Sequence, residues 1–201
     1  MKELFPGKFK PTDTHRFIKL LADRKVLLRC YTQNIDGLEQ IAGVPANLIL
    51  QAHGGFDSAH CIDCKKMQDI EEVKTSCLKG EVHHCFECGG LVKPDIVFFG
   101  EALPSDFAHC VETDFPKCDC LIVLGTSLSV FPFAGLVGRV RDDTPRILIN
   151  REMCGNNAHI PKRFLFNEPT NTRDVFVQSD CDTAARSMMN IIASLPPTPS
   201  D

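Results

Sequence analysis

The run Cys120-Leu121-Ile122-Val123-Leu124-Gly125-Thr126-Ser127 decides the fold class of this chain. Four consecutive large aliphatic residues show no polar alternation, so the segment suits a strand covered on both faces. A glycine and two hydroxyl residues follow at once and read as a turn into a helix that runs to about Arg141. The same order repeats outward. On the C-terminal side, Arg146-Ile147-Leu148-Ile149-Asn150 and Asp174-Val175-Phe176-Val177 read as strands, and Thr183 to Ala193 as a closing helix. On the N-terminal side, Ser105 to Asp114 reads as a helix behind Pro104, and Asp95-Ile96-Val97-Phe98-Phe99 and Leu48-Ile49-Leu50 as strands. Val26 to Thr32 reads as a buried strand, and a first helix starting at Thr12 or Asp13 is expected to bury Phe17, Ile18, Leu20 and Leu21. Apolar strands alternating with helices predict an α/β fold, a Rossmann-like doubly wound parallel sheet with helices on both faces.

Residues 55–95 interrupt that order. They hold five of the 11 cysteines, few long apolar runs, and the breakers Gly80, Gly89, Gly90 and Pro94. Cys61 and Cys64 form one CxxC pair, and Cys85 and Cys88 form a second after 20 residues. Two such knuckles can bring four thiolates to one tetrahedral Zn²⁺. Four unrelated buried cysteines would not fall into two equal pairs within a core-poor segment, and a redox site uses one pair rather than two. His83 and His84 are alternative ligands, but the paired spacing favours the cysteines. Cys77 is expected to be a spare thiol. Four thiolates leave no open position on the metal, so the zinc is expected to be structural and the chemistry to lie elsewhere. The domain division is therefore 1–54 with 96–195 as one catalytic domain, 55–95 as an inserted zinc-ribbon module, and 196–201 as a proline-rich disordered tail.

Composition narrows the function classes. The 201 residues carry a formal charge of -4, which offers no positive excess for gripping phosphate backbones, so direct nucleic-acid binding is not expected. An apolar share of 43% with 24% charged residues excludes a disordered or fibrous chain. No apolar run approaches the roughly 20 residues of a membrane helix. The segment MKELFPGKFKPT lacks the apolar core of a secretory signal. An odd cysteine count without an export signal fits reduced thiols in the cytoplasm or nucleus better than a disulfide framework.

In doubly wound sheets, ligands sit at the carboxyl ends of strands. Gly125, Thr126 and Ser127 follow one such end, where backbone N–H groups and hydroxyls suit a phosphate or ribose, although a plain capped turn explains them as well. Asn150-Arg151-Glu152 follows another, with Glu152 able to accept ribose hydroxyls or simply to be solvated. Thr32-Gln33-Asn34-Ile35-Asp36-Gly37 is denser: Asp36 as a helix cap accounts for one polar group but not for Gln33 and Asn34. His53 follows a strand and precedes Gly54-Gly55, which permit close approach of a ligand, so it is a candidate general base.

Taken together, TQNIDGLEQIAG (32–43), AHGG (52–55), the two CxxC pairs, LVKPDIVFFGE (91–101), GTSLSV (125–130) and ILINRE (147–152) resemble the sirtuins, NAD-dependent protein-lysine deacylases. FPGKFKPT (5–12), RCYTQNID (29–36) and VKPDIVFFGE (92–101) are similar to the class I branch that holds the second and third vertebrate sirtuins. The likeness covers about residues 3 to 195.

The resemblance implies NAD as cosubstrate, one structural Zn²⁺ on Cys61, Cys64, Cys85 and Cys88, and acetylated or acylated lysine proteins or peptides as partners. It implies that Gln33, Asn34, Ile35 and Asp36 line the nicotinamide and ribose pocket, with Asp36 holding the carboxamide and Asn34 the ribose and a water. His53 matches the catalytic base, with Asn34 beside it. Val97 and Phe98, followed by Gly100 and Glu101, match the segment that pairs with the substrate peptide and walls the acyl-lysine tunnel. Gly125, Thr126 and Ser127, then Asn150, Arg151 and Glu152, match phosphate and adenosine-ribose contacts, and Cys181 matches the position beside adenine. The implied products are nicotinamide, deacylated lysine and O-acyl-ADP-ribose.

The chain departs from the family at two points. Gly55 stands where sirtuins usually have Thr or Ser. The glycine-rich GAG-type turn and the cofactor loop with its Asp-Phe-Arg motif, which sirtuins carry ahead of the segment resembling residues 3–12, are absent from the 201 residues. From that absence the first strand of the family fold is expected to be missing and NAD binding and turnover to be impaired. The alternative is a catalytically inactive zinc-containing module that binds acyl-lysine peptides.

Overall fold

A computed structural model describes residues 5–196, so all but the first residue of the tail expected at 196–201 lies outside the described residues. In chain order the elements are α1 (Asp13–Asp23), β1 (Cys30–Thr32), α2 (Leu38–Ile41), β2 (Ile49–Gln51), β3 (Gly54–Cys61), β4 (Met67–Gln68), α3 (Ile70–Lys79), β5 (Val92–Ile96) and α4 (Asp106–Asp114). They continue with β6 (Leu121–Leu124), β7 (Arg146–Asn150), β8 (Asp174–Gln178) and α5 (Cys181–Ser194). The chain divides into two units: Met1–Pro11 with Cys30–Ser105, and Thr12–Arg29 with Asp106–Asp201.

In the first unit β1 and β2 pair in parallel, Cys30 opposite Ile49 and Thr32 opposite Gln51. An antiparallel sheet of order β4-β3-β5 stands separately. Phe5, Phe56 and Ile96 form a buried cluster, with the Phe5 and Phe56 rings 4.5 Å apart and Ile35, Ile70 and Cys77 packed around it. The β3–β5 register shifts between Gly54 and Ala59. Beside that irregularity Asp95 accepts from Ser58 Oγ and engages His60 Nδ1 at 2.8 Å, which ties the two strands together by side chains. Pro94, opposite Ala59 next to the shift, sits where a missing N–H is tolerated. Helix α3 starts at Asp69, whose carboxylate accepts the Glu71 N–H at 2.8 Å, and ends at Gly80 in the left-handed conformation that only glycine adopts without strain.

The second unit holds the all-parallel sheet β6-β7-β8. Central strand β7 buries Leu148 and Ile149, and Leu148 packs with Leu128, Ala134, Val137, Ile160 and Phe164. Helices α1 and α5 are joined by Asp182, which accepts from Thr14 N–H at 2.9 Å and Thr14 Oγ at 2.6 Å, and by the Arg186–Asp13 pair at 2.7 Å. Arg146, at the start of β7, and Asp174, at the start of β8, are fully buried and make a two-pronged ion pair, both contacts at 2.6 Å. Arg146 spends its other donors on the carbonyls of Val137, Lys162 and Arg163. Such a pair is tolerable inside a protein only because every charged atom has a partner.

The α/β class with parallel sheets holds, and several element expectations change. Val26 to Arg29 are not strand: Val26 is 54% exposed, and Val26 N–H and Leu27 N–H bond back to Leu21 O beyond the turn at Lys25. Strand β1 is only as long as its partner β2. Of the apolar residues of α1 only Phe17 is fully buried; Ile18, Leu20 and Leu21 are half-buried. Leu121–Leu124 are likewise half-buried rather than buried, as β6 pairs only with β7 among the described residues. The long helix after Ser127 is replaced by a loop and a 3₁₀ turn, Phe133–Gly138. Pro132, Gly135 and Gly138 are poor helix formers, and Leu128 adopts a left-handed φ of 49°. Strand β5 ends at Ile96, its last rung being opposite Gly54, so Val97, Phe98 and Phe99 lie beyond the ladder rather than inside it.

Candidate active site and metal centre

Parallel pairing of β1 and β2 brings their carboxyl ends side by side, and the polar residues follow directly. His53 Nδ1 lies 2.9 Å from the Gln33 carbonyl oxygen. A carbonyl only accepts, so Nδ1 carries the proton, and Nε2 of the neutral ring keeps its lone pair. Ala52 N–H donates to Thr32 O, and His53 O accepts Val97 N–H, both at 2.9 Å, so the backbone on either side of the imidazole is pinned. Gly54 is required here: its φ is +68°, and a Cβ would fall 1.9 Å from Asp95 O. Asn34 N–H donates to Thr32 Oγ at 3.1 Å, and Asp36 Oδ1 accepts Leu38 N–H at 3.0 Å at the start of α2. The N-cap of α2 is Gly37, in the left-handed conformation, and not Asp36 as expected; Asp36 instead closes a local turn onto the Leu38 N–H through one of its two oxygens. Ile35 turns away from these polar groups and packs on the Phe5 cluster. Gly55 is a buried strand residue, and a Cβ there would meet only the mobile end of Gln51, 2.9 Å away.

Cys61, Cys64, Cys85 and Cys88 come together with all four sulfurs within 4.8 Å of one another. Cys61 Sγ and Cys88 Sγ are 3.5 Å apart, and Cys64 Sγ and Cys85 Sγ 3.6 Å. A tetrahedral zinc with ordinary Zn–S bonds separates its sulfurs by about 3.8 Å, so the cluster fits a structural zinc site. The Cys64 backbone N–H is the main influence that draws the Cys61 thiol down to about 7. Gln68, buried, directs Nε2 at Cys85 Sγ from 3.5 Å, and Glu87 N–H points at the same sulfur from 3.4 Å, a surrounding shell suited to a thiolate. A Cβ at Gly90 would sit 2.2 Å from Asp63 Oδ2 and 3.0 Å from Cys61 Sγ, so a side chain there would crowd the cluster. His83 and His84 stay out of the cluster and bond to Ser76 Oγ and Gly89 O. Cys77 is not in the cluster either and packs against the Phe5 cluster instead.

In the second unit a different group assembles at the ends of β6 and β7. Gly125 N–H donates to Ile149 O at 3.1 Å, and its φ of +59° leaves no Cβ to press on Cys181 Sγ, which would then be 3.0 Å away. Asn150 Nδ2 donates to Thr126 O at 3.2 Å and to Glu152 O at 2.9 Å. Ser127 Oγ pairs with Ser129 Oγ at 2.6 Å. Arg151 and Glu152 present exposed side chains. The structure thus gathers Gly125, Thr126, Asn150 and Cys181, but no helix begins at Gly125, so the helix N-terminus expected there is absent. Burial raises the Cys181 thiol, which stays protonated at neutral pH.

Three contributors have no assigned role in the sequence reading. Thr32 orients Asn34, and a hydroxyl two residues ahead of a polar loop is a readable turn signal. Cys154 Sγ donates to Thr126 O at 3.1 Å, and Lys93 pairs with Glu101 at 3.1 Å; neither carries a pattern that announces it.

The sequence model of the Sir2 family matches residues 1–132. The chain is 51% identical over 194 residues to the NAD-dependent deacetylase sir2A of Dictyostelium discoideum, covering 95% of this chain and 37% of that protein. It is 44% identical over 199 residues to the NAD-dependent protein deacetylase sirtuin-2 of Danio rerio, covering 95% and 52%. It is 44% identical over 191 residues to the NAD-dependent protein deacetylase HST2 of Candida albicans, covering 95% and 55%. The chain therefore spans between about a third and just over half the length of the curated relatives it matches.

Proposed function

The chain belongs to the Sir2 family, and on that premise we propose that its residues carry out NAD-dependent deacylation of protein lysines. The observation that supports this most directly is the His53 tautomer: with Nδ1–H held by Gln33 O, Nε2 is free to take a proton from a ribose hydroxyl. NAD supplies the acyl acceptor, ADP-ribose, when its nicotinamide leaves. Gln33, Asn34 and Asp36 are assigned to the nicotinamide and its ribose, with Thr32 and the α2 N-terminus holding the loop rigid. Gly125, Thr126, Ser127, Asn150, Arg151, Glu152 and Cys181 are assigned to the phosphate and adenosine portion. Val97, Phe98, Gly100 and Glu101 are assigned to the acyl-lysine peptide. An apolar passage admits the neutral amide of an acylated lysine and rejects a free ammonium on desolvation grounds.

Residues 55–95 are read as the zinc-binding module, and 1–54 with 96–195 as the catalytic domain. Zinc held by four thiolates has no vacant position, so the metal takes no part in proton transfer. Thiolates of this kind need a reducing compartment, in keeping with the cytoplasm or nucleus. No helix among the described residues is long and apolar enough to cross a membrane.

The test is incubation with an acetyl-lysine peptide and NAD, measuring free nicotinamide and deacetylated peptide. Equal yields of the two are expected. Peptide binding without any nicotinamide release would refute the enzyme and leave a binding module.

A further inference from the structure

The two knuckles of the metal centre repeat one backbone pattern. Cys61 N–H donates to Lys66 O at 3.0 Å, and Cys85 N–H to Gly90 O at 2.8 Å. The returning bonds match as well, Lys65 N–H to Cys61 O at 3.2 Å and Gly89 N–H to Cys85 O at 2.9 Å. Lys65 and Gly89 both take the left-handed conformation at that return, with φ +61° and +73°. In each knuckle the first cysteine is buried and the last exposed: Cys61 and Cys85 are 0% and 4% exposed, while Cys64 and Cys88 stand at the surface.

One position breaks the repeat. Gln68 on β4 stands as far beyond Cys61 as Val92 on β5 stands beyond Cys85, and valine has no donor. Gln68 is buried, and a buried amide needs partners at both ends. Its Nε2 donates to the Lys66 and Met67 carbonyls at 3.4 and 3.1 Å and to Cys85 Sγ at 3.5 Å, and its Oε1 accepts Phe86 N–H at 3.4 Å. The corresponding amide of the first knuckle, Ile62 N–H, donates to a main-chain carbonyl instead, Leu91 O at 2.9 Å. One side chain placed just after the first knuckle therefore holds the leading cysteine of the second. Glu87 N–H approaches the same sulfur from 3.4 Å. Donors aimed at a thiolate stabilise its charge and fix its position against the metal.

We propose that Gln68 makes Cys85 the last ligand to let go of the metal, which enters and leaves past the exposed Cys64 and Cys88. A metal held by four thiolates has no vacant position, so one of them must open before a competing ligand can bind. Cys64 and Cys88 are accessible to that competitor. Cys61 is buried without a donor from Val92, and Cys85 is both buried and held by a buried amide. Gln68 is thus a positioning residue of the metal centre.

The test uses the zinc-loaded chain as wild type, Gln68→Met and Gln68→Glu. Zinc release to an excess of a coloured chelator is followed by absorbance. Samples taken during release are labelled with iodoacetamide, and each cysteine is scored by peptide mass spectrometry. In wild type, Cys64 and Cys88 are expected to label first, then Cys61, with Cys85 last. Gln68→Met keeps the volume and loses the amide; it is expected to release zinc about 10–100-fold faster, the scale of losing one outer hydrogen bond to a ligand. Its Cys85 labelling should draw level with that of Cys61, while Cys61 still follows Cys64. Gln68→Glu retains an acceptor for Phe86 N–H but no donor for the sulfur, and should release at least as fast as Gln68→Met. Wild-type release by Gln68→Glu would overturn the proposal. So would labelling of Cys85 together with or ahead of Cys64 and Cys88 in wild type, a result that needs no variant to fold.

Discussion

His53 Nδ1 and the Gln33 carbonyl oxygen are 2.9 Å apart, a contact that joins the segments emerging from β1 and β2. It has two consequences. The imidazole is fixed in orientation by main chain rather than by a titrating partner, so its tautomer does not change with the protonation of a neighbouring carboxylate. The loop carrying Asn34 and Asp36 is anchored to the same ring, so the candidate base and the candidate nicotinamide residues share one main-chain tie.

Gly54 allows this arrangement, and Gly54→Ala is the sharpest single test of it. The left-handed backbone costs about 1–3 kcal/mol for a residue with a side chain, and the clash with Asp95 O adds to that. A lowered denaturation midpoint with loss of activity is expected. A variant with wild-type stability would show that the His53 segment does not adopt the described path.

Zinc removal should unfold residues 55–95. Metal analysis is expected to return one zinc per chain. A strong chelator should release it together with the dispersion of amide NMR signals from β3, β4 and β5. Cys88→Ser should lower metal content in parallel. Full retention of those signals in metal-free protein would contradict the structural role.

The Arg146–Asp174 pair predicts asymmetric mutational costs. Arg146→Met removes both close contacts of a buried carboxylate, leaving it the Leu165 N–H and the more distant Arg173 Nε at 3.9 Å, and should destabilise the second unit by about 3–5 kcal/mol, whereas replacing both residues by apolar ones of similar volume should cost much less. Denaturant titration of the two single variants and the double variant checks this. Additive costs would show that the two residues do not act as a pair.

Asp182 gives a pH prediction. Its carboxyl is held below the ordinary value, first by the Thr14 hydroxyl, so the folded-state pKa lies under the unfolded one. That contribution is fully present above the unfolded value near 4 and is lost as pH falls through the folded value. Melting temperature followed from pH 6 downward should drop less in Asp182→Asn than in wild type. Parallel acid limbs would show that Asp182 does not link α1 to α5 through its charge.

Much of this was legible in the sequence. The β6 and β7 runs were readable because strands with an uninterrupted apolar core need no partner to identify them. The zinc ligands were readable because paired spacing survives any loop conformation. His53 and the Gln33–Asp36 cluster were readable as polar groups at strand ends. What escaped depends on partners distant in sequence. The length of β1 is set by β2, and the burial of Arg146 by Asp174. The long helix after Ser127 failed for a local reason: Pro132 and two glycines outweigh the apolar residues around them.

The central claim is that His53 acts as a base after the nicotinamide–ribose bond has broken. The decisive measurement compares peptide deacetylation with the exchange of labelled nicotinamide into NAD, in wild type and His53→Ala. Deacetylation is expected to fall by about 10²–10⁴-fold, the scale of one general base, while acetyl-peptide-dependent nicotinamide exchange persists. Loss of exchange to the same extent as deacetylation, in a folded variant, would contradict that role. So would deacetylation at the wild-type rate.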